Sequence, residues 1–350
     1  MRILFIPVSG PRGAGEYARM LAIASQVARR WPQAAIHFLV SRAAPYADSV
    51  PFPATLLESS PTYHPREVAA TIERFRPTLA LFDNAGRTSQ LQAARRAGAR
   101  IVYVSSRVRQ RRKAFRLRWM RMLDEHWIAY PAIVAGALGP LERCKLRLLG
   151  RPVLRFLDAM LPPDDATRAQ ATLAGFELRP ERYVLVVPGG GTAHSSAEDA
   201  PAIVAEAAAR IAAHGHTTLL IGTIAPRTIP RDLRVTRQLP VALFADLLRN
   251  AGLVVSNGGY TMLQALACHR PCVAVPIAGD QQHRIDRCVE AGVVAASRLD
   301  AAEMERQALA LLTDEGLRAG LLGRLERSGI VDGTATALAA IARLHGLERP

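Results

Sequence analysis

The chain has 350 residues, of which 49% are hydrophobic, so two domains of roughly 150 to 200 residues are expected, each with enough apolar content to bury a core. Its formal charge of +15 argues only weakly for an anionic partner, because the excess is carried by arginine with little lysine, as a GC-rich genome would also produce. No run approaches the about 20 apolar residues of a membrane span, Met1 leads straight into an apolar strand with no basic leader, and Cys144, Cys268, Cys272 and Cys288 lack metal-ligand spacing; a cytoplasmic protein with reduced thiols and no metal is expected.

Short apolar runs alternate with longer Ala/Arg/Leu segments of helical period, the pattern of βα units in a parallel sheet. The first strand, Ile3–Val8, ends in "SGPRGAGEYARMLAIA", which sets Gly10, Gly13 and Gly15 before a helix at Glu16–Arg30. This spacing differs from G-x-G-x-x-G, and the second strand, Ala35–Val40, finishes "HFLVSR" with no acidic residue after it, which disfavours NAD. What remains is a tight turn opening a helix N-terminus to a ligand, with Arg19 one turn in. Glu16 has two readings there: complement to the helix dipole, or a general base.

Further strands are expected at Ala54–Glu58, Leu79–Asn84, Arg100–Ser105 and His126–Tyr130, with helices at Pro65–Phe75, Thr88–Ala97 and Arg109–Leu123. Asp83 stands at the end of one of these strands. The run "RVRQRRKAFRLRWMR", Arg107 to Arg121, holds eight basic residues, among them Arg111, Arg112 and Lys113, and no acidic one. Three readings compete: a solvated helix face, an interfacial helix whose Phe115, Leu117, Trp119, Met120 and Met122 enter lipid while cations meet phosphates, and a nucleic-acid contact, for which no binding motif accompanies the charge. Contact with a membrane or an anionic acceptor ranks first and nucleic acid last.

Proline-rich Gly150–Pro163 reads as a break, after which the pattern restarts. The expected domains are 1–150, a linker at 151–163, 164–335, and a last helix at 336–350 returning to the first domain. Strands recur at Tyr183–Val187, Thr217–Ile221, Leu253–Ser256, Cys272–Pro276 and Val293–Ala296, with helices at Ala197–His214, Ala242–Asn250, Thr261–Cys268 and Gln282–Ala291 and three more after Ala301. Two of these strands end in glycine turns: "VVPGGGTAH", with Gly189, Gly190, Gly191, Thr192 and His194, and "VVSNGGYTMLQAL", with Asn257, Gly258, Gly259, Tyr260, Thr261 and Gln264. Missing Cβ atoms let a phosphate approach backbone amides at the positive end of the next helix, and a pair of such turns suits a diphosphate. His194 is either a phosphate donor or a surface loop residue. Two Rossmann-like halves in tandem are expected to face one cleft at the carboxyl ends of their strands.

The stretch "SNGGYTMLQALACHRPCVAVPIAGDQQHR" resembles the C-terminal half of GT-B glycosyltransferases, especially the branch of the lipid II-forming N-acetylglucosaminyltransferase. The resemblance implies a GT-B architecture: α/β, two Rossmann-like domains facing an interdomain cleft. It matches Gly259 and Thr261 to the turn that meets the diphosphate, Gln264 to a glutamate that holds the ribose, Pro276 to a strand end, and Asp280, Gln281 and Gln282 to the pair that contacts the donor sugar. Glutamine keeps acceptor capacity without the charge. "GAGEYARMLAIA" looks like the glycine turn of the nucleotide-sugar hydrolase of pseudaminic acid synthesis, and more loosely like that of the transferase. Both place histidine where this chain has Glu16, and "LALFDNAG", with Asp83, is similar to a segment of the hydrolase. The likeness is specific only across 256–292 and this short N-terminal turn.

These readings converge on an inverting, metal-independent glycosyltransferase that uses a nucleotide sugar, UDP-linked, with no further cofactor and a lipid-linked or membrane-associated acceptor. Glu16 is preferred as base, with Asp83 as alternative or orienter. Gly13, Gly15 and Arg19 serve the acceptor side. A nucleotide-sugar hydrolase and a non-catalytic nucleotide-sugar-binding scaffold stand as the alternatives.

Overall fold

In a computed structural model, which describes residues 1–11, 14–189, 199–279 and 281–347, the chain divides into two units: 1–160 with 333–350, and 161–332. Seven strands make the sheet of the first unit: β1 Arg2–Pro7, β2 Ala35–Ser41, β3 Ala54–Leu57, β4 Leu79–Asp83, β5 Arg100–Ser105, β6 Glu125–Ile128 and β7 Val153–Phe156. All pair in parallel, in the order β3-β2-β1-β4-β5-β6-β7. The central strands are apolar between their ends, as strands covered on both faces must be; Leu4, Ile6, Phe82, Ile101 and Tyr103 line one face, packed on Leu91, Ala94 and Trp119.

The second unit repeats the plan with β8 Val184–Val187, β9 Thr218–Ile221, β10 Leu233–Thr236, β11 Leu253–Asn257, β12 Cys272–Val275 and β13 Ala295–Ala296, ordered β10-β9-β8-β11-β12-β13 and again parallel. On one face the alanine-rich helix Ala200–Ala213 and the helix Ala301–Thr313 cover Val184, Val186, Leu220, Val255 and Val273. In each sheet the order reverses beside its first strand, between β1 and β4 and between β8 and β11. At such a point successive connections diverge to opposite faces and leave the carboxyl ends of two neighbouring strands uncovered.

Several elements depart from expectation. The segment expected as a linker contains β7, whose Val153 pairs with Glu125 of β6, and the unit boundary falls after Met160. The strand β10, which no apolar run announced, forms as a half-covered edge through pairing with β9. The helix expected at Arg109–Leu123 is two pieces, Val108–Ala114 and Leu117–Met120, with extended backbone at Arg116 between them. The break lets Phe115 and Trp119 both turn inward, Trp119 edge-on to Tyr103 at 5.1 Å and Phe115 on His126 at 5.4 Å. The helix Thr334–Leu344 belongs to the first unit, where Arg343 donates to buried Glu125 at 2.7 Å and His345 pairs with Thr78 at 2.9 Å.

Candidate functional site

Each unit gathers candidate residues at its own strand-order reversal. In the first unit, β1 and β4 end side by side, with Pro7 opposite Asp83. The helix Gly15–Arg30 begins just beyond β1 and presents Glu16 in its first turn and Arg19 one turn later. Arg19 donates from Nε and Nη2 to the two carboxylate oxygens of Asp83 at 2.8 and 2.9 Å, and Asp83 is 0% exposed. Burial pushes the Asp83 carboxyl up to about 6, and the adjacent guanidinium opposes that rise without cancelling it. Both Asp83 oxygens are thus engaged by Arg19, with no surface left to solvent.

Glu16 is placed differently. Its side chain keeps 15% of its surface, one oxygen accepts from Asn84 Nδ2 at 2.9 Å, and Arg107 lies 3.9 Å away. Asn84 holds a left-handed backbone (φ 52°), which asparagine tolerates better than most side chains, and is clamped on every side. Its N–H reaches Val104 O, its Nδ2 also donates to Ser106 Oγ at 2.5 Å, and its Oδ1 accepts from Ser106 N at 2.9 Å. Asn84, Ser106 and Arg107 complete the surroundings of Glu16; sequence reading met Arg107 only as the first cation of the basic run and did not single out the other two. Their one available signal was the polar "DN" pair closing an otherwise apolar strand. Gly15 lies in the same turn, whereas Gly13 falls outside the described residues.

The cations of the basic run divide. Arg111 is spent on Glu142, at 2.9 and 2.6 Å, and on the carbonyls of residues 135–137. Lys113 donates to Gly86 O at 2.6 Å and lies 4.4 Å above the Trp119 ring, and desolvation lowers it to about 8. Arg112 is exposed. Of the apolar residues that the interfacial-helix reading names, Phe115, Trp119 and Met120 are buried in the core, Met122 is half-covered and Leu117 is 46% exposed, so the run by itself does not present a continuous apolar stripe.

In the second unit, β8 runs into Pro188 and Gly189, and β11 into Asn257, Gly258 and Gly259. The glycines are demanded by contact. A Cβ on Gly189, whose φ is +98°, falls 2.1 Å from Asn257 Nδ2, and one on Gly258 falls 2.6 Å from Ile285 Cγ1. The amides expected to meet a phosphate are partly used within the protein: Gly258 N–H donates to Val275 O at 3.0 Å and Gly259 N–H to Asn257 Oδ1 at 3.2 Å. The helix Tyr260–Ala267 opens directly after these glycines with Thr261 in its first turn, where amides have no acceptor within the helix itself. Gln264 is buried on that helix. Gln281 is also buried, its Oε1 accepting from Ile277 N at 2.8 Å and Ala278 N at 3.2 Å, so it shapes the turn after β12; Gln282 is exposed and donates to Asp286 at 2.7 Å. Arg284, which the sequence reading passed over, donates from Nε to Gly258 O at 2.9 Å and brings positive charge to this turn. Gly190, Gly191, Thr192, His194 and Asp280 lie outside the described residues.

A hollow of about 570 Å³ lined by Glu177, Arg179, Arg182 and Thr217 opens at the other end of this sheet, where strands begin. It shares no residue with the glycine turns. Burial pushes the thiols of Cys268, Cys272 and Cys288 up to about 12, which makes them inert packing groups at neutral pH. Among the described residues no group of three or more His, Cys, Asp or Glu is arranged to hold a metal, and no helix is long and apolar enough to cross a membrane.

No protein-family model matches the chain, and no curated protein matches it by sequence. Solved structures do match its fold. The glycotransferase of kitacinnamycin superposes with a TM-score of 0.64 at 14% identity over 98% of each chain. The glycosyltransferase VinC, solved in complex with dTDP, gives 0.63 at 13% identity over 99% of this chain and 100% of its own. A putative UDP-N-acetylglucosamine 2-epimerase from Listeria monocytogenes gives 0.62 at 13% identity over 100% of this chain and 98% of its own. The fold is the GT-B fold, α/β with two parallel sheets.

Proposed function

We propose that the chain is a glycosyltransferase in which the second unit holds a nucleotide sugar and the first addresses the acceptor hydroxyl. The observation that carries this reading is the pair of glycine turns at the β8/β11 reversal, with Gly189 against Asn257 and the helix Tyr260–Ala267 opening directly after Gly259. Backbone without Cβ, a helix N-terminus and the Arg284 guanidinium form a surface suited to a diphosphate. In this reading the leaving group's charge is met by first-turn amides and Arg284, so transfer needs no metal and survives chelation. UDP-linked sugars are the first donors to test and dTDP-linked sugars the second, since VinC was solved with dTDP.

Glu16 takes the acceptor proton and the reaction inverts. Its accessible carboxylate, fixed through Asn84 and Ser106, supports it over Asp83, whose oxygens are both committed to Arg19. Gln264 and Gln282 are proposed for the ribose and sugar hydroxyls. Glu16→Gln is expected to lower turnover by roughly 10²- to 10⁴-fold while donor affinity stays within about twofold. Single-turnover assays and donor titration read the two quantities, and an active variant would remove Glu16 from the role.

A nucleotide-sugar enzyme with no sugar acceptor is the second reading, favoured by the equal likeness to the epimerase. Nucleoside diphosphate released only when an acceptor is present supports transfer. Release in water alone supports hydrolysis, and binding without release supports a scaffold.

A further inference from the structure

The helix Pro140–Leu149 is unusual among the helices of the first unit: none of its residues is buried. A ten-residue helix is marginal in water by itself, so something outside its own hydrogen bonds holds it. Two contacts do so. Arg111 grips Glu142, and Lys145 donates to Phe115 O at 3.1 Å, which lays the helix beside the basic segment. Glu142, Lys145, Leu146 and Leu149 are half-covered, and the opposite side is displayed to solvent.

That displayed side is amphipathic along its length. Leu141, Cys144 and Leu148, at spacings of three and four, form one stripe; Leu141 is 75% and Leu148 79% exposed. Arg143 and Arg147 flank it, both exposed, and Arg109, Arg112, Arg116 and Arg118 are exposed on the segment to which the helix is tied. The carboxylates of residues 107–149 are committed elsewhere: Asp124 to Arg95, Arg100 and Arg151; Glu125 to Arg155 and Arg343; Glu142 to Arg111. Leucines displayed in water, bordered by cations without carboxylates to neutralise them, complement a surface that is apolar beneath and anionic on top.

We infer that the helix Pro140–Leu149 and the exposed arginines of 109–118 form a docking face for an anionic membrane surface, with Leu141, Cys144 and Leu148 entering the headgroup–acyl boundary. The sequence reading set a lipid contact on Phe115, Leu117, Trp119, Met120 and Met122; of these Phe115, Trp119 and Met120 lie in the core and Leu117 is exposed, and the inferred contact lies chiefly on the neighbouring helix. This face belongs to the first unit alone and does not depend on the transfer reading.

Cys144 supplies the probe, since Cys272 and Cys288 are buried and Cys268 partly covered. A polarity-sensitive fluorophore is attached to Cys144 in a Cys268→Ala background of the full chain, which is mixed with vesicles of phosphatidylcholine alone or blended with phosphatidylglycerol. Association with the blended vesicles only, a blue shift of the probe and release by high salt are expected. Arg143→Gln with Arg147→Gln should lower the partition constant about 25-fold, at about fivefold per arginine near an anionic surface. Leu141→Ser with Leu148→Ser should lower it about tenfold or more and abolish the blue shift. All four substitutions sit on exposed positions, and unchanged melting confirms an intact fold. Absence of association at low salt, association without a probe shift, or displacement from vesicles by duplex DNA with no loss in the leucine variant would each overturn the inference.

Discussion

Asp83 and Glu16 are two carboxylates near one strand end with opposite fates, and burial separates them. Asp83 has given up all its surface and is compensated by a single guanidinium, while Glu16 keeps an open edge and an amide partner. Removing one member of a buried pair can strand the other's charge, so Arg19→Leu, which leaves the Asp83 carboxylate buried alone, is expected to cost roughly 3–5 kcal/mol at neutral pH, and Arg19→Leu with Asp83→Leu to recover much of it. The raised carboxyl also gives a pH signature. Because the native state holds this proton more tightly than the unfolded chain, the contribution is complete below the ordinary value of 3.8 and is lost as pH climbs through about 6. Denaturant midpoints taken across that window should fall with rising pH in the wild type and flatten in Asp83→Asn. The positions of Asp83 and Glu16 at strand ends were legible from the apolar run before one and the glycine turn before the other. Their different burial was not, because it depends on Arg19 and Asn84, residues 64 and 68 positions from their partners.

At the scale of elements, glycine turns serve packing before they serve any ligand. Gly258 admits the helix Gln281–Glu290 close to β11, with Ile285 occupying the space a side chain would fill. Gly258→Ala is expected to destabilise the second unit by about 1–3 kcal/mol, and Gly258→Ala with Ile285→Ala to cost less than the two singles summed, since the second change removes the colliding atoms. Gly189→Ala should find no such relief: its backbone at φ +98° disfavours any side chain, and its new methyl faces Asn257. Chemical denaturation of the four variants distinguishes the cases. Additivity of the Gly258 and Ile285 changes would disprove the contact. From the sequence these glycines read as phosphate turns first and as close strand-to-helix turns second, and the two readings do not separate there, because a missing Cβ looks the same whether a ligand or Ile285 takes its place.

Over the whole molecule, the chain leaves its first unit after Met160 and returns to it at Gly333. The returning helix buries Ala337, Ala340 and Ile341 and sets Arg343 on Glu125, beside Arg155. Ending the chain after Asp332 is therefore expected to cost the first unit on the order of 3 kcal/mol. Hydrogen exchange should show β5 and β6 losing protection while β8, β11 and β12 keep theirs. Equal loss in both units, or none in either, would contradict the assignment of this helix.

Alternation of short apolar runs with helical segments, the restart after the prolines and the glycine-terminated strands were set by the sequence alone, and they sufficed for two parallel sheets. The reason is local: a strand covered on both faces must be apolar residue by residue, and a turn that must bend sharply needs glycine wherever it occurs. Tertiary structure alone decided the rest. It made strands of Val153–Phe156 and Leu233–Thr236 through neighbours to pair with, turned Trp119 and Met120 inward, spent Gln281 on its own turn, and exposed Leu141 and Leu148 instead. Each outcome depends on which distant group arrives to cover a surface or accept a hydrogen bond, and no local pattern of residues records that arrival.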